Sequence, residues 1–299
     1  MTKATDNTDT PRGLILVISA YFLWGILPLY MKALSHVAPA EVVVHRVIWS
    51  VPVAGAVLVA MGRTRDLRDA FAHPRMLAQA ALTAALISVN WGIYIWAIGN
   101  GQALEAALGY YINPLFSIFL GAVLLGERLS RIQMVAIGFA AAAVVILTLE
   151  AGRIPLVALA LTFTWGFYAY FKKSLPIGPN QGFLLEVLIL SPFALAYLVY
   201  LQTTGGAAFM HSSATTILLL LAGIVTTIPL LLYANGAKGV RMSTVGILQY
   251  IVPSMIFLLA VFVFGEPFDG MRVVAFPLIW IALLFYSIPV LRSLKRAKS

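Results

Sequence analysis

Phe22-Leu23-Trp24-Gly25 recurs as Phe163-Thr164-Trp165-Gly166, and Lys32-Ala33-Leu34 returns at the same spacing as Lys173-Ser174-Leu175. Further along, Gly109-Tyr110-Tyr111-Ile112-Asn113-Pro114 is answered by Leu248-Gln249-Tyr250-Ile251-Val252-Pro253, and Gly126-Glu127 by Gly265-Glu266, at a slightly smaller offset. The chain is written twice on one plan. In a strongly apolar sequence such a repeat points to a membrane transporter whose binding site lies where the halves meet.

Composition fixes the solvent. Hydrophobic residues make up 61% of the chain and charged residues 10%, against about 25% charged in soluble domains. A helix needs about 20 apolar residues to cross a hydrocarbon core of about 30 Å. Ten runs meet that length: Gly13 to Ala33, Val42 to Met61, Leu77 to Ile98, Ala103 to Leu125, Ile132 to Leu149, Ile154 to Phe171, Phe183 to Leu201, Thr216 to Ala234, Thr244 to Phe264 and Val273 to Leu291. They are continuously apolar and rich in Leu and Ala, without the alternation of a membrane β-barrel. The expected fold is therefore an all-α integral membrane protein of ten transmembrane helices. A tail over 1–12 leads into a first repeat over 13–150; a second repeat over 151–292 precedes a basic tail over 293–299.

Five spans per half make the second half enter from the opposite side, so the repeats are inverted about an axis in the membrane plane. Most of the 20 Lys and Arg residues fall on one side, among them Arg63, Arg65, Arg68 and Arg75, then Lys172 and Lys173, then Arg292, Lys295, Arg296 and Lys298. The other side keeps Arg153 and Arg272, with Lys32 and Arg46 at or inside helix ends. That bias puts both termini in the cytoplasm and makes the net charge of +9 a matter of topology; nucleic acid is not an expected partner.

The first apolar run is too long for a signal-peptide core and reads as a retained helix. Cys is absent, so no thiolate can bind a metal or attack a substrate. No Gly-rich loop ends in Gly-Lys-Ser/Thr, and neither His-Glu-x-x-His nor Gly-x-Ser-x-Gly occurs. No cofactor or metal is expected, and no enzymatic activity. A membrane-embedded enzyme would need acid, base or metal ligands converging at one depth, whereas these carboxylates are scattered. A channel needs a continuous polar path and is the main alternative to a carrier.

Residues for a solute site come from polar and aromatic side chains near mid-depth: Trp24, Asn90, Trp91, Tyr94, Tyr110, Asn113, Trp165, Tyr168 and Gln249. Pro114 and Pro253 should kink the fourth and ninth spans, freeing the carbonyls of Tyr110 and Gln249 at a depth where a neighbour, water or solute must satisfy them. Charges inside a span suggest partners or an aqueous cavity. Arg46, with Glu105 or Glu41, is a candidate outer gate; His45 could titrate and couple transport to protons. Glu186 aligns with Arg46 in the repeat, and inversion sends it to the inner side, so the two are counterparts and not an ion pair. The deep positions carry no cluster of one charge sign, which favours a neutral, zwitterionic or aromatic small molecule over a polyanion.

Tyr21-Phe22-x-Trp24-Gly25-x-x-Pro28-x-Tyr30-x-Lys32, His45-Arg46-Val47-Ile48-Trp49-Ser50, Asn90-Trp91-Gly92-Ile93-Tyr94-Ile95-Trp96-Ala97 and the run from Glu105 to Pro114 together resemble the RarD branch of the EamA-type drug/metabolite transporters. Ser243 to Pro253 and Phe264-Gly265-Glu266-Pro267 agree, so the resemblance covers nearly all of Arg12 to Arg292. Ala107 stands where many relatives carry serine, and no hydroxyl role transfers there. The resemblance implies a bacterial inner-membrane carrier, a small-molecule substrate in a central cavity, lipid around the bundle, and an association with chloramphenicol sensitivity that names a phenotype. Oligomeric state is left open.

Overall fold

The computed structural model describes residues 9–62, 73–100, 102–152, 155–174, 178–263 and 270–296. Their regular structure is entirely helical: α1 (Pro11–Ala33), α2 (Pro39–Ala60), α3 (Pro74–Gly99), α4 (Ala103–Leu124), α5 (Arg131–Ala151), α6 (Leu156–Ser174), α7 (Pro179–Thr204), α8 (Ser213–Ala237), α9 (Met242–Leu248), α10 (Ile251–Phe262) and α11 (Arg272–Arg296). The ten runs expected from hydropathy are all present, the ninth divided into α9 and α10. Nine spans among the described residues are long and apolar enough to cross a membrane, one of them running through that division. The less apolar α6 carries Trp165, Tyr168 and Tyr170 in its middle and Lys172 and Lys173 in its last turn.

Local chemistry explains the ends. Prolines open α1, α2 and α7, where a missing N–H costs nothing. Thr10, Ser130 and Ser212 side chains accept from the first turns of α1, α5 and α8, Ser130 in a reciprocal capping box with Gln133. Gly152 and Gly205 close α5 and α7 at φ of 67° and 72°, left-handed values that only glycine adopts cheaply.

Helix packing repeats under exchange of the halves. α1 lies on α8 as α6 lies on α3; α1 meets α10 as α6 meets α4; α2 meets α7, α4 meets α9, and α5 meets α11. The α5–α11 seam is lined by Ala136, Ala140 and Ala143 on one side and by their equivalents Ala275, Ile279 and Ala282 on the other, all fully buried. Small residues let backbones approach in lipid, where helix association depends on contact instead of on water exclusion.

The repeated Trp-Gly motif has the same explanation. A Cβ on Gly25 would lie 2.6 Å from Met255 Sδ, and one on Gly166 would lie 2.3 Å from a Phe116 ring carbon. Phe116 and Met255 each stand two residues beyond the paired prolines, Pro114 and Pro253. Each half thus supplies the glycine that receives the other half's side chain.

One face of the bundle, the terminal face, holds the start of α1, the α8–α9 junction and the end of α4. Thr10 N donates to Gly239 O at 2.9 Å. Asp9 accepts from Arg241 N and the Thr244 hydroxyl, and Glu127 accepts from the first amides of α9, Met242 N and Ser243 N. These carboxylates satisfy the unpaired donors of a helix start and oppose its positive dipole end. The opposite, far face holds the start of α2 and the loop joining α7 to α8.

Candidate solute site

At the centre, the side chains of Trp24 and Trp165, equivalent in the repeat, meet edge to face with ring centroids 5.6 Å apart. Tyr233 contacts both at 5.5 and 5.9 Å, Tyr168 lies tilted beside Trp165 at 5.6 Å, and Tyr21 contacts Trp24 at 5.9 Å. The structure therefore gathers three of the expected residues, Trp24, Trp165 and Tyr168, into one aromatic cluster between α1, α6 and α8. Trp165 Nε1 is buried with no hydrogen-bond partner among the described residues. Tyr21 and Tyr233 are additions, and Tyr233 was findable: the offset that carries Pro114 to Pro253 carries Tyr94 to Tyr233.

Towards the far face, a second group surrounds Arg46, about 10 Å along α2 from Pro39 at 1.5 Å per residue. Its Nε–H donates to Thr226 Oγ1 at 2.8 Å, and its guanidinium lies 5.0 Å from the centre of the Trp91 ring. The Tyr30, Tyr94 and Tyr110 side chains stand close enough to feel its charge. Tyr110 keeps 39% of its surface accessible. Arg46, Trp91, Tyr94 and Tyr110 thus share one region, walled by α2, α3, α4 and α8.

Other expected site residues hold helices together. Asn90 Nδ2 donates to Leu161 O and Thr164 Oγ1, at 3.0 and 2.8 Å, tying α3 to α6. Asn113 is buried on α4 with Oδ1 lacking a partner among the described residues. Pro114 sits within an unbroken α4, whereas the ninth span breaks at Gln249 and Tyr250, just ahead of Pro253. There the Gln249 carbonyl is not left free: it accepts from Val252 N at 3.0 Å, because the break tightens into a three-residue turn.

The charged candidates separate by face. Glu41 does not pair with Arg46; its carboxylate accepts from Ala208 N and Phe209 N at 2.9 Å, binding the α7–α8 loop to α2. Backbone amides outcompete the guanidinium for it because Glu41 sits in the first turn of α2, level with that loop. His45 is buried against Phe209, its Nδ1 accepting from Trp49 Nε1 at 2.9 Å and its Nε2 3.9 Å from Glu41. The side chain of Glu105 lies outside the described residues. Glu186 is on the terminal side, 2.6 Å from Lys172 Nζ, and Tyr168 OH donates to it at 3.3 Å. A small pocket beside this pair is lined by Thr83, Phe171, Gly178, Pro179 and Gly182. Lys173 donates to the carbonyls of Ala237 and Val240, joining the ends of α6 and α8.

Ten spans in two inverted halves, with an aromatic cluster at the centre and Arg46 set among aromatic side chains on the far side of it, define a polytopic membrane protein of the kind that carries solutes. The sequence pattern of the EamA-like transporter family matches residues 11–149 and again 153–288, so this chain belongs to that family, one copy in each half. An uncharacterized transporter of Vibrio cholerae is 41% identical over 295 residues, covering 98% of this chain and 97% of that protein. A protein RarD of Streptomyces exfoliatus is 39% identical over 298 residues, covering 99% and 94%. The chloramphenicol-sensitive protein RarD of Pseudomonas aeruginosa is 32% identical over 277 residues, covering 91% and 92%. A solved crystal structure shares the fold with a TM-score of 0.73 at 21% identity, covering 93% of this chain and 98% of that one.

Proposed function

We propose that this chain moves a small neutral, zwitterionic or aromatic metabolite, or a drug-like solute, across the bacterial plasma membrane by alternating access, with both termini in the cytoplasm. The observation that carries the reading is the unequal treatment of two equivalent faces. Inverted repeats can seal either side with equivalent parts; here Lys172 pairs with Glu186 and Lys173 joins α6 to the end of α8 towards the terminal face, whereas the positions equivalent to that ion pair in the first half are Met31 and Arg46, which cannot form one. On this reading Arg46, Trp91, Tyr94 and Tyr110 wall the solute space and the Trp24–Trp165 cluster floors it.

Counterflow in proteoliposomes tests this. A loaded unlabelled solute should drive saturable uptake of its labelled form, and Tyr110→Phe or Gln249→Ala should weaken solute binding more than thermal stability. Linear, unsaturable flux would instead favour a channel.

A further inference from the structure

A guanidinium carries five N–H donors in a rigid fork. In Arg46 only Nε–H has a hydrogen-bond acceptor among the described residues, Thr226 Oγ1. The described groups around the remaining four donors are aromatic: Trp91, whose ring centre lies 5.0 Å from Cζ, with Tyr30, Tyr94 and Tyr110 nearby. None is an acid. Glu41, one turn and a half away on the same helix, has both oxygens on the amides of Ala208 and Phe209, and Glu186 is held by Lys172 towards the terminal face.

A cation placed this far along a span is costly unless a partner or an aqueous cavity stabilises it. The Trp91 face offsets part of that cost, but aromatic rings leave the paired Nη–H donors unanswered. A carboxylate answers them, accepting two parallel hydrogen bonds from the fork.

We propose that Arg46 is a binding seat for a carboxylate head group, with the solute's aromatic or apolar body lying against Trp91, Tyr94 and Tyr110. This rests on the transport reading above and narrows it to monoanionic amphiphiles. A zwitterionic amino acid would bring an ammonium with no described acid beside Arg46 to receive it, and a polyanion would meet one cation where it needs several.

The test is an isosteric series on the purified full-length protein: 3-phenylpropionate, 3-phenylpropanol, 2-phenylethylamine and phenylalanine, with affinity read from quenching of tryptophan fluorescence. The acid should bind saturably and about tenfold or more tighter than the alcohol, the usual effect of one charged hydrogen-bonding group. The amine should bind worst, and phenylalanine should bind more weakly than the acid. Arg46→Gln should abolish the preference for acid over alcohol while leaving alcohol binding in place; Arg46→Lys, which keeps charge but loses the fork, should retain part of it. Retention of the full preference in Arg46→Gln, equal binding of acid and alcohol, tighter binding of phenylalanine, or no saturable binding of the acid would each overturn the proposal. An Arg46 that merely packs against Thr226 would lower the melting temperature without changing the acid-to-alcohol ratio, which also overturns it. If counterflow fails for every solute while an Arg46-dependent acid preference persists, transport falls and the seat stands; saturable counterflow of a neutral solute with no such preference does the reverse.

Discussion

Lys172 Nζ lies 2.6 Å from Glu186 Oε1 in a buried ion pair between the last turn of α6 and the second turn of α7. The equivalent positions in the first half are Met31 and Arg46, which bear one charge between them. A pseudo-symmetric molecule has therefore placed an ion pair near one face and, towards the other, a cation with no described acid paired to it.

Removing one partner of a buried pair strands the other charge and typically costs about 3–5 kcal/mol, whereas replacing both with apolar groups is far cheaper. Lys172→Met and Glu186→Leu should each lower the melting temperature strongly, and the double variant should recover most of the loss. In the double variant a Cys introduced at Thr83, the only Cys in that chain, should label faster with a membrane-impermeant maleimide from the terminal side. Unchanged labelling would show that the pair stabilises the fold without holding that face shut.

Gly166→Ala places a methyl 2.3 Å from the Phe116 ring, and Gly25→Ala places one 2.6 Å from Met255 Sδ. Overpacking of this kind costs about 1–3 kcal/mol. Phe116→Ala should rescue Gly166→Ala and not Gly25→Ala, and Met255→Ala should do the opposite. Thermal stability of the four double variants would check this, and rescue across the wrong pairs would refute the assigned contacts.

Two acids cap α9, and they should behave differently. Glu127 serves two backbone amides, so Glu127→Ala should cost about 1–2 kcal/mol as a lost cap. Asp9 also accepts two hydrogen bonds, but burial outweighs them and pushes its carboxyl above the usual carboxylate range. A raised folded-state pKa means that the ionised form is less favourable in the folded protein than in the unfolded chain. That penalty is absent below the unfolded pKa of about 3.9, grows as pH rises through the folded value, and is fully present at neutral pH. Asp9→Asn keeps a carbonyl acceptor and removes the charge; it should raise the melting temperature at pH 7 and lose that advantage towards pH 4. A stabilisation that grows on acidification would reverse the sign and refute the account.

Reporter fusions after Ser299 and within the loop from Gln202 to Thr215 should report opposite compartments, with the first in the cytoplasm. The same compartment for both would break the ten-span topology.

The architecture was legible because hydropathy and the repeat are properties of sequence alone, and lipid leaves few ways to satisfy a backbone. Trp24, Trp165 and Tyr168 were legible as deep aromatics for the same reason. The partners of Glu41 and Glu186 were not: Ala208 and Phe209 offer backbone amides that no side-chain pattern advertises, and Lys172 is one of many basic residues that the positive-inside bias explains without a contact. The two prolines read alike in sequence, yet α4 stays continuous through Pro114 while the ninth span breaks before Pro253. A proline fixes where a helix is weak; neighbouring helices decide whether it breaks.

The glycine contacts of the Trp-Gly motif tie each half to the other. Gly25 is filled from α10 and Gly166 from α4, so a chain ending after α5 would carry both an empty notch at Gly25 and an unhoused Phe116. Two such chains could satisfy each other only if one were threaded through the bilayer upside down relative to its mate. Two half-length copies that filled each other's notches in this way would form an antiparallel pair in the bilayer, the arrangement that the present single polypeptide holds together.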